Sequence, residues 1–239
     1  MIRLSKRLEA LTRLCLPGGC GADVGCDHGY LSIRLIRDGI FERMLAMDLR
    51  EGPLSAAKEH VAEEGLDGCI TCRISDGIRE LQPGEAEAMI CAGMGGMLMQ
   101  RILMQDIDKV RGMRQLILQP QSDVGDFRRW LRKNSFSVEA EDMICEDGKY
   151  YPMMRVVPQG TPVQTTVPDV LADAFGGLLL TQRHPVLYEH LLQRKGFVEE
   201  ALKQLKRAQQ QGSDARREQR IAELLQEAQL IQEAISYYS

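Results

Sequence analysis

Residues Ala22–Leu35 read ADVGCDHGYLSIRL and are the most informative stretch of this 239-residue chain. The stretch begins as a short apolar strand, turns between Gly25 and Gly29, and continues as the start of a helix. A glycine turn between a strand and a helix is typical of a ligand site in a doubly wound α/β domain. The stretch departs from the dinucleotide fingerprint GxGxxG, because Asp27 and Tyr30 occupy the second and third glycine positions. This pattern disfavours a redox dinucleotide domain.

Strands and helices alternate on both sides of this stretch, from Cys20 to about Pro158. The strand-like segments are CGADVG, RMLAMDL, CITCRI, AEAMICAG and RQLILQP, and four of them lead directly into a helical pattern. Such alternation predicts a parallel, doubly wound α/β sheet. Two further strand-like segments flank EDGK, where Asp147-Gly148 is a hairpin-turn signal. We therefore expect a Rossmann-like sheet that ends in an antiparallel hairpin, an arrangement that resembles the sheet of class I S-adenosylmethionine (SAM)-dependent methyltransferases.

Composition indicates a soluble globular protein, with 44% apolar and 27% charged residues. No apolar run approaches the ~20 residues that a membrane span needs, and the N-terminus predicts an amphipathic helix rather than a signal peptide. The apolar side of this helix comprises Leu4, Leu8, Leu11 and Cys15. Seven cysteines without scaffold-like spacing suggest reduced thiols and a cytoplasmic location. Cys69 and Cys72 form a CxxC without a second pair, so we expect strand packing and no metal.

Acidic residues at three successive strand ends extend the resemblance to SAM-dependent methyltransferases. The resemblance implies that Asp23 lies beneath the methionine arm and orders the loop, while Gly25 leaves space for the ligand. Asp48 resembles the acid that hydrogen-bonds the ribose hydroxyls, and Asp76 resembles the acid that contacts the adenine amino group. The cofactor-binding residues expected on this basis are Asp23, Gly25, Cys26, Asp48, Asp76, Gly77, Ala92 and Gly93.

The fourth strand end bears on the chemistry. Many amino-directed nucleobase methyltransferases carry Asn or Asp followed by Pro-Pro and an aromatic residue here, whereas this chain has AGMGG over residues 92–96. None of these side chains accepts a proton, and the glycines either leave room for a flat acceptor or pack a tight turn. A ring nitrogen with an in-plane lone pair needs positioning and desolvation more than a general base. Asp27 is the best candidate to stabilise a developing cation, and the expected catalytic set is Asp27, His28, Gly93, Met94 and Gly95.

The motifs ADVGCDHGYL, EGPLSAAKEHV, SDGI, AGMGG, LQPQ and EDGKYY, in this order, resemble the bacterial tRNA (adenine(22)-N1)-methyltransferases. The resemblance implies SAM as methyl donor, N1 of adenine 22 in the D-loop region of tRNA as acceptor, and two domains. These are a methyltransferase domain over residues 1–158 and a small, coiled-coil-like helical domain over residues 159–239. Three features depart from the family pattern. One of them is LREGPL directly after Asp48, where relatives more often show an apolar or acidic run before Gly-Pro. Cys26 stands in place of a small Ser-like residue, and Gln121 stands where relatives often have Asn.

The C-terminal region predicts two antiparallel helices. The first begins at about Pro185 and the second ends at about Tyr237. Between them, Gly212 marks a helix end and Ser213 is the expected N-cap of the second helix. We expect Leu191, Val198, Leu202 and Leu205 to face Ile221, Leu224, Leu225, Ala228, Ile231 and Ile235. This hairpin is either a packing or dimerisation element, in a monomer or homodimer, or a basic arm that binds tRNA.

Basic residues cluster although the net charge is −4. They are Arg3, Lys6, Arg7 and Arg13 on the first helix, and Lys203, Lys206 and Arg207 among others on the hairpin. Local basic patches on an acidic protein can hold a polyanion. The alternative function is a SAM-dependent methyltransferase of a small molecule or protein, or a SAM-binding protein without catalysis.

Overall fold

The structure, a computed structural model, describes residues 4–161, 163, 165–209 and 214–239. The backbone divides into two compact units, Met1–Gln164 and Thr165–Ser239. The domain boundary predicted after residue 158 remains a prediction. Arg3, Gly212 and Ser213, which the sequence analysis singled out, lie outside the described residues.

A seven-stranded mixed sheet forms the centre of the first unit. Its strands are β1 (Gly18–Val24), β2 (Phe41–Asp48), β3 (Ile70–Ile74), β4 (Ala88–Met94), β5 (Gln115–Pro120), β6 (Ser137–Glu146) and β7 (Lys149–Val157). Their order is β3-β2-β1-β4-β5-β7-β6. The first five strands pair in parallel, whereas β7 is antiparallel to both β5 and β6. The Rossmann-like methyltransferase sheet with its terminal hairpin is thereby confirmed.

Six helices of the first unit connect these strands or precede them. They are α1 (Lys6–Leu14), α2 (Tyr30–Arg37), α3 (Glu51–Glu63), α4 (Gly96–Met104), α5 (Ile107–Arg111) and α6 (Val124–Lys133). Ser5 caps α1, because its hydroxyl accepts a hydrogen bond from the Leu8 N–H at 3.3 Å. The short helix α5 was not predicted; Asp106 starts it by accepting the Lys109 N–H at 3.0 Å.

Apolar side chains cover both faces of the sheet, as a doubly wound fold requires. Met89, Leu116 and Phe127 belong to the cluster on one face, and Ile33 and Ile90 belong to the cluster on the other. All five are fully or almost fully buried. This packing fixes the strands and leaves their carboxyl ends to form a site.

The β6–β7 hairpin turns as its sequence predicts. Asp147 and Gly148 both have positive φ, 51° and 73°, which is the conformation that a two-residue hairpin turn needs. Glu146, the last residue before this turn, reaches α1. Its carboxylate accepts the backbone N–H of Lys6 at 2.7 Å and that of Arg7 at 3.3 Å. The hairpin therefore fixes the beginning of α1.

The second unit contains α7 (Asp169–Phe175), α8 (Gly177–Thr181), α9 (Pro185–Gln209) and α10 (Ala215–Ser236). Helices α9 and α10 are antiparallel, because Tyr188 near the start of α9 stacks on Tyr238, which lies beyond the end of α10. Arg194 and Glu227 also pair across them, at 2.5 and 3.1 Å. The prediction that Leu225 packs between the helices is wrong. Leu225 is 47% exposed, whereas the neighbouring Leu224 is buried, because consecutive residues point to different sides of a helix.

No helix within the described ranges is both long and apolar enough to cross a membrane.

Candidate active site

The carboxyl ends of β1, β2, β3 and β4 surround a cavity of about 610 Å³. Strand order reverses here, since β1 lies between β2 and β4, and such a switch point is where open α/β sheets bind ligands. The predicted site residues that line the cavity are Asp23, Gly25, Cys26, Asp27, His28, Asp48, Asp76, Gly77, Ala92, Gly93 and Met94. Gly95 is not among the lining residues. The volume suits a ligand of cofactor size.

Asp23 lies at the bottom of this cavity, near the end of β1. Its carboxylate is buried and accepts a hydrogen bond from the Ser32 hydroxyl of α2 at 2.8 Å. Burial raises the pKa of Asp23 from its ordinary 3.8 to about 6, although the Ser32 hydrogen bond acts in the opposite direction. Such a buried carboxylate favours a cationic group nearby, because a positive charge restores its ionised form.

The turn from Gly25 to Gly29 brings the backbone close to the cavity. The N–H groups of Gly25 and Cys26 both donate to the Met47 carbonyl of β2, at 2.8 and 3.0 Å. Gly25 has a φ of 77°, and a Cβ there would lie 2.2 Å from Cε of Met94. Only glycine combines this conformation with this close approach. A glycine here therefore lets the Met94 side chain pack directly against the turn at the wall of the cavity.

The Cys26 thiol is buried, and burial raises its pKa well above the usual range. A thiol in this state is protonated at neutral pH and is a poor nucleophile. Cys26 therefore shapes the wall of the cavity, and the structure gives it no role in covalent chemistry.

Asp48 connects the end of β2 to the glycine turn. Its carboxylate accepts the backbone N–H of Asp27 at 3.2 Å and that of Arg50 at 2.9 Å. Arg50 Nε also lies 3.6 Å from this carboxylate. A carboxylate offers about four lone-pair positions, so acceptor positions beyond the two N–H bonds remain for a ligand. Asp48 is buried and lines the cavity, and these free positions suit a pair of hydroxyl groups.

Asp27 lies at the mouth of the cavity, where its side chain is 61% exposed. It is held in a left-handed conformation with a φ of 52°. Arg50 Nη2 lies 3.7 Å from the Asp27 carboxylate, and His28 Nε2 lies 3.9 Å from it. The neighbouring cation reduces the negative charge that Asp27 presents, a feature that the sequence did not reveal.

Asp76 and Gly77 form the wall next to β3. Gly77 has a φ of 64°, and its carbonyl accepts the Ser75 hydroxyl at 2.8 Å. The Asp76 side chain is 46% exposed and lies 3.4 Å from Arg79 Nη1. The carboxylate is thus accessible from the cavity and from solvent.

The glycines after β4 serve two purposes. Gly93 has a φ of 79° at an irregularity in the β4–β5 register, and it lines the cavity. Gly95 and Gly96 instead allow close packing: a Cβ on Gly95 would lie 2.8 Å from the Ser122 hydroxyl, and one on Gly96 would lie 3.0 Å from Cβ of Phe127. Gly95 thus packs at the start of α4 and does not line the cavity, and its catalytic role stays a prediction.

Backbone N–H groups of this turn are mostly occupied within the protein. The Gly93 N–H donates to Oε1 of Gln119 at 3.1 Å, and the Gly96 N–H donates to the Ser122 carbonyl at 3.0 Å. These two N–H groups are therefore satisfied within the protein.

Three side chains near the cavity escaped the sequence analysis as site residues. Gln119 accepts a hydrogen bond from the Gly93 N–H. Arg7 lines the cavity and donates a hydrogen bond to Gln119 at 3.1 Å. His60 of α3 lies behind Tyr30, with ring centroids 4.6 Å apart. The position of Gln119 in LQPQ, a polar residue near the end of an apolar strand, was the available indication for one of them.

His60 fixes the orientation of the turn residues. Its Nδ1 lies 3.0 Å from the His28 carbonyl, which only accepts, so Nδ1 carries the proton. Its Nε2 then accepts the Tyr30 hydroxyl at 3.3 Å. Tyr30 lines the cavity, so this network sets the position of an aromatic wall.

In the parts of the chain that the structure describes, no group of three or more His, Cys, Asp or Glu side chains is arranged to hold a metal ion.

The fold and the cavity together define a Rossmann-like methyltransferase domain. The chain belongs to the methyltransferase domain family, whose sequence profile matches residues 4–154. Among curated proteins, it is similar to the tRNA (adenine(22)-N(1))-methyltransferase of Bacillus subtilis, with 36% identity over 153 residues. That alignment spans 64% of this chain and 64% of the relative, so the chain matches less than two thirds of the relative's length.

Solved structures extend the similarity to almost the whole chain. The crystal structure of the B. subtilis m1A22 tRNA methyltransferase TrmK has a TM-score of 0.86 at 27% identity, with 98% of this chain and 100% of TrmK covered. Sp1610 of Streptococcus pneumoniae, solved in complex with S-adenosyl-L-methionine, has a TM-score of 0.83 at 28% identity, with 97% and 99% covered. The family resemblance inferred from the sequence motifs is confirmed.

Proposed function

We propose that this protein is a SAM-dependent methyltransferase that transfers a methyl group to N1 of adenine 22 in tRNA. The observation that carries the proposal is the cavity at the strand ends, where Asp23 and Asp48 lie at the ends of β1 and β2 and Asp76 follows β3. Similarity to the B. subtilis enzyme supports the choice of acceptor. A tRNA substrate places the reaction in the cytoplasm.

The residues of the cavity fit SAM in shape and charge. Gly25 keeps the turn free of a side chain beside Met94, and the buried Asp23 favours an ammonium group. Asp48 retains acceptor positions beyond its two N–H bonds, as a ribose diol requires. Asp76 and Gly77 would hold the adenine end. When bound, SAM supplies an electrophilic methyl group on a sulfonium.

The acceptor side of the cavity fits a ring nitrogen. Gly93 and Met94 line this side, and neither side chain can act as a general base. N1 of adenine carries its own lone pair, so the protein needs to position the base and exclude water. N1 methylation makes the adenine cationic, and we assign to Asp27 the stabilisation of that charge. Arg50 holds the Asp27 carboxylate at the mouth of the cavity.

Binding of the tRNA body is assigned to the helical hairpin. Lys206 and Arg207 are exposed near the end of α9, and neither forms an ion pair within the described residues. Arg194 is different, because Glu227 already pairs with it. Unpaired cations on one helix turn suit successive phosphates of a nucleic acid backbone.

The decisive experiment uses purified protein, methyl-labelled SAM and two unmodified tRNA transcripts that differ only at position 22. The transcript with adenine 22 should acquire one m1A, located by primer-extension arrest and by mass spectrometry of nuclease fragments. The transcript with guanine 22 should acquire none. Equal labelling of both transcripts, or a methyl group on the exocyclic amine, would refute the assignment.

Salt dependence separates this proposal from a small-molecule methyltransferase. At tRNA concentrations below KM, the rate should fall steeply between 50 and 200 mM salt, by about a factor of ten or more, because phosphate contacts release counterions. An enzyme for an uncharged metabolite would show little response.

A further inference from the structure

Arg7 occupies an unusual position on the wall of the cavity. It belongs to α1, yet its guanidinium Nη1 donates to Oε1 of Gln119 at 3.1 Å. The guanidinium also lies over the ring of Tyr151, 5.8 Å from its centroid. Glu146 accepts the backbone N–H of the same residue at 3.3 Å. These contacts hold Arg7 in place from β5, β7 and the end of β6.

Gln119 is the key to this arrangement, because it is fully buried. Its Oε1 accepts two hydrogen bonds, from Arg7 and from the Gly93 N–H, both at 3.1 Å. Its Nε2 donates to the Pro120 carbonyl at 3.1 Å. If the amide were flipped, its NH₂ group would face two other donors, Arg7 Nη1 and the Gly93 N–H. The hydrogen-bond network therefore places Oε1, and not Nε2, toward these donors.

Because the Gln119 amide is neutral, its hydrogen bond does not neutralise the positive charge of Arg7. Within the described residues, the Arg7 guanidinium forms no ion pair with a carboxylate. A guanidinium has five N–H donors, and Gln119 takes one of them. The remaining donors and the positive charge are available for an anionic ligand at the cavity.

The sheet order shows which part of the ligand Arg7 faces. Asp48 ends β2 and Asp76 follows β3, and both strands lie on one side of β1. The partners of Arg7, Gln119 and Tyr151, belong to β5 and β7 on the opposite side. Arg7 therefore lies away from the acids assigned to the adenosine end, on the acceptor side of the cavity next to Gly93, where a Cβ would be 3.5 Å from Arg7 Nη1.

We propose that Arg7, positioned by Gln119, binds a backbone phosphate of the RNA beside the target adenine. The proposal rests on the proposed tRNA methyltransferase function and adds a defined contact to it. A planar guanidinium forms paired hydrogen bonds with phosphate, and such a contact holds a displaced nucleotide while the base enters the cavity. The shared chemistry is an anionic oxygen group, and the carboxylate of SAM is the competing source of it.

The test compares Arg7→Met, Arg7→Lys and a matched control, Arg114→Met. Arg114 lies beside the start of β5, at the opposite edge of the sheet, and forms a surface pair with Glu87 at 3.1 Å. All variants are first checked for SAM affinity by calorimetry. KM for tRNA and kcat are then measured at several salt concentrations. The loss of a charge-assisted contact should raise KM for tRNA in Arg7→Met by roughly 10- to 100-fold.

Further readouts distinguish a phosphate contact from a structural role. The slope of log affinity against log salt should decrease by about 0.7 to 0.9 in Arg7→Met, as expected for one lost phosphate. Arg7→Lys should recover part of the affinity, because Lys also binds phosphate as a point charge. Arg114→Met should match the wild type in each measurement. The wild type should bind a tRNA with a neutral methylphosphonate beside adenine 22 more weakly than the unmodified tRNA. Arg7→Met should bind both tRNAs with the same reduced affinity.

Each outcome decides the proposal. Weakened SAM binding with an unchanged KM for tRNA would assign Arg7 to the SAM carboxylate and overturn the proposal. An unchanged KM and salt slope in a folded Arg7→Met protein would also overturn it. If Arg7→Met does not fold, the methylphosphonate comparison between the wild type and Arg7→Lys decides, since a phosphate contact requires loss of affinity in both. A wild-type protein that methylates no tRNA would instead overturn the proposed function, and this inference with it.

Discussion

The buried carboxyl of Asp23 predicts a specific dependence of stability on pH. Its pKa is about 6 in the folded protein, against an ordinary value of 3.8, and burial is the main cause. The folded state therefore binds more protons than the unfolded state between these two values, so stability falls as pH rises through this window. Each pKa unit corresponds to about 1.4 kcal/mol. The ionisation of Asp23 thus costs about 3 kcal/mol of stability above pH 6.

Asp23→Asn removes this dependence. The amide oxygen can still accept the Ser32 hydroxyl, and an amide resembles the protonated acid in size and charge. We expect the unfolding free energy of the variant, relative to wild type, to increase by about 2.4 kcal/mol between pH 4 and pH 7. Urea unfolding monitored by Trp130, the single tryptophan of the chain, reports on the first unit, where this residue packs against the core.

Ser32→Ala is the matched test of the same reasoning. The Ser32 hydroxyl lowers the pKa of Asp23, so its removal should move the pH-dependent window of the protein upward. SAM affinity adds an independent measurement, because a cationic ligand binds better to the ionised carboxyl. Wild-type affinity should rise between pH 5 and pH 7, and that of Asp23→Asn should rise less. Parallel stability curves for the wild type and Asp23→Asn would refute the reasoning.

Further variants test the other parts of the site. Asp48→Ala should weaken SAM binding by roughly 10- to 100-fold, because it removes a charged acceptor; unchanged affinity in calorimetry would contradict the ribose assignment. Asp27→Ala should lower kcat more than it lowers SAM affinity, and the opposite pattern would move Asp27 to the cofactor site. Joint replacement of Lys206 and Arg207 by Gln should weaken tRNA binding and flatten its salt dependence at constant SAM affinity. Equal tRNA affinity in filter binding would assign the hairpin to packing or dimerisation.

Local patterns were sufficient to predict the sheet. Each parallel strand is a short apolar run followed by a turn, and Asp147-Gly148 adopts the two positive φ values that its residue types favour. The acids at the ends of β1 and β2 could be found because strand ends are local features, and parallel strands bring these ends to one edge of the sheet. Their placement around the cavity follows from topology, whereas their roles in binding remain predictions.

Features that depend on packing were less predictable. Gly95 and Gly93 occur in the same AGMGG motif, yet only Gly93 faces the cavity. The difference arises from Ser122, which lies against Gly95 and is distant in sequence. Leu224 and Leu225 are likewise identical residues in adjacent positions. Only the orientation of α10 about its own axis decides which one is buried.

The network around Arg7 shows the physical limit of sequence reasoning most clearly. As a sequence feature, Arg7 belongs to a basic cluster on an amphipathic helix, and such a cluster is usually a solvated surface. Its partner Gln119 is 112 positions away, so no local spacing indicates that they meet. A buried glutamine at the end of a strand must satisfy its amide, and here the Gly93 N–H and Arg7 do so together. The same requirement couples the position of a charged side chain to the backbone irregularity that opens the acceptor side of the cavity.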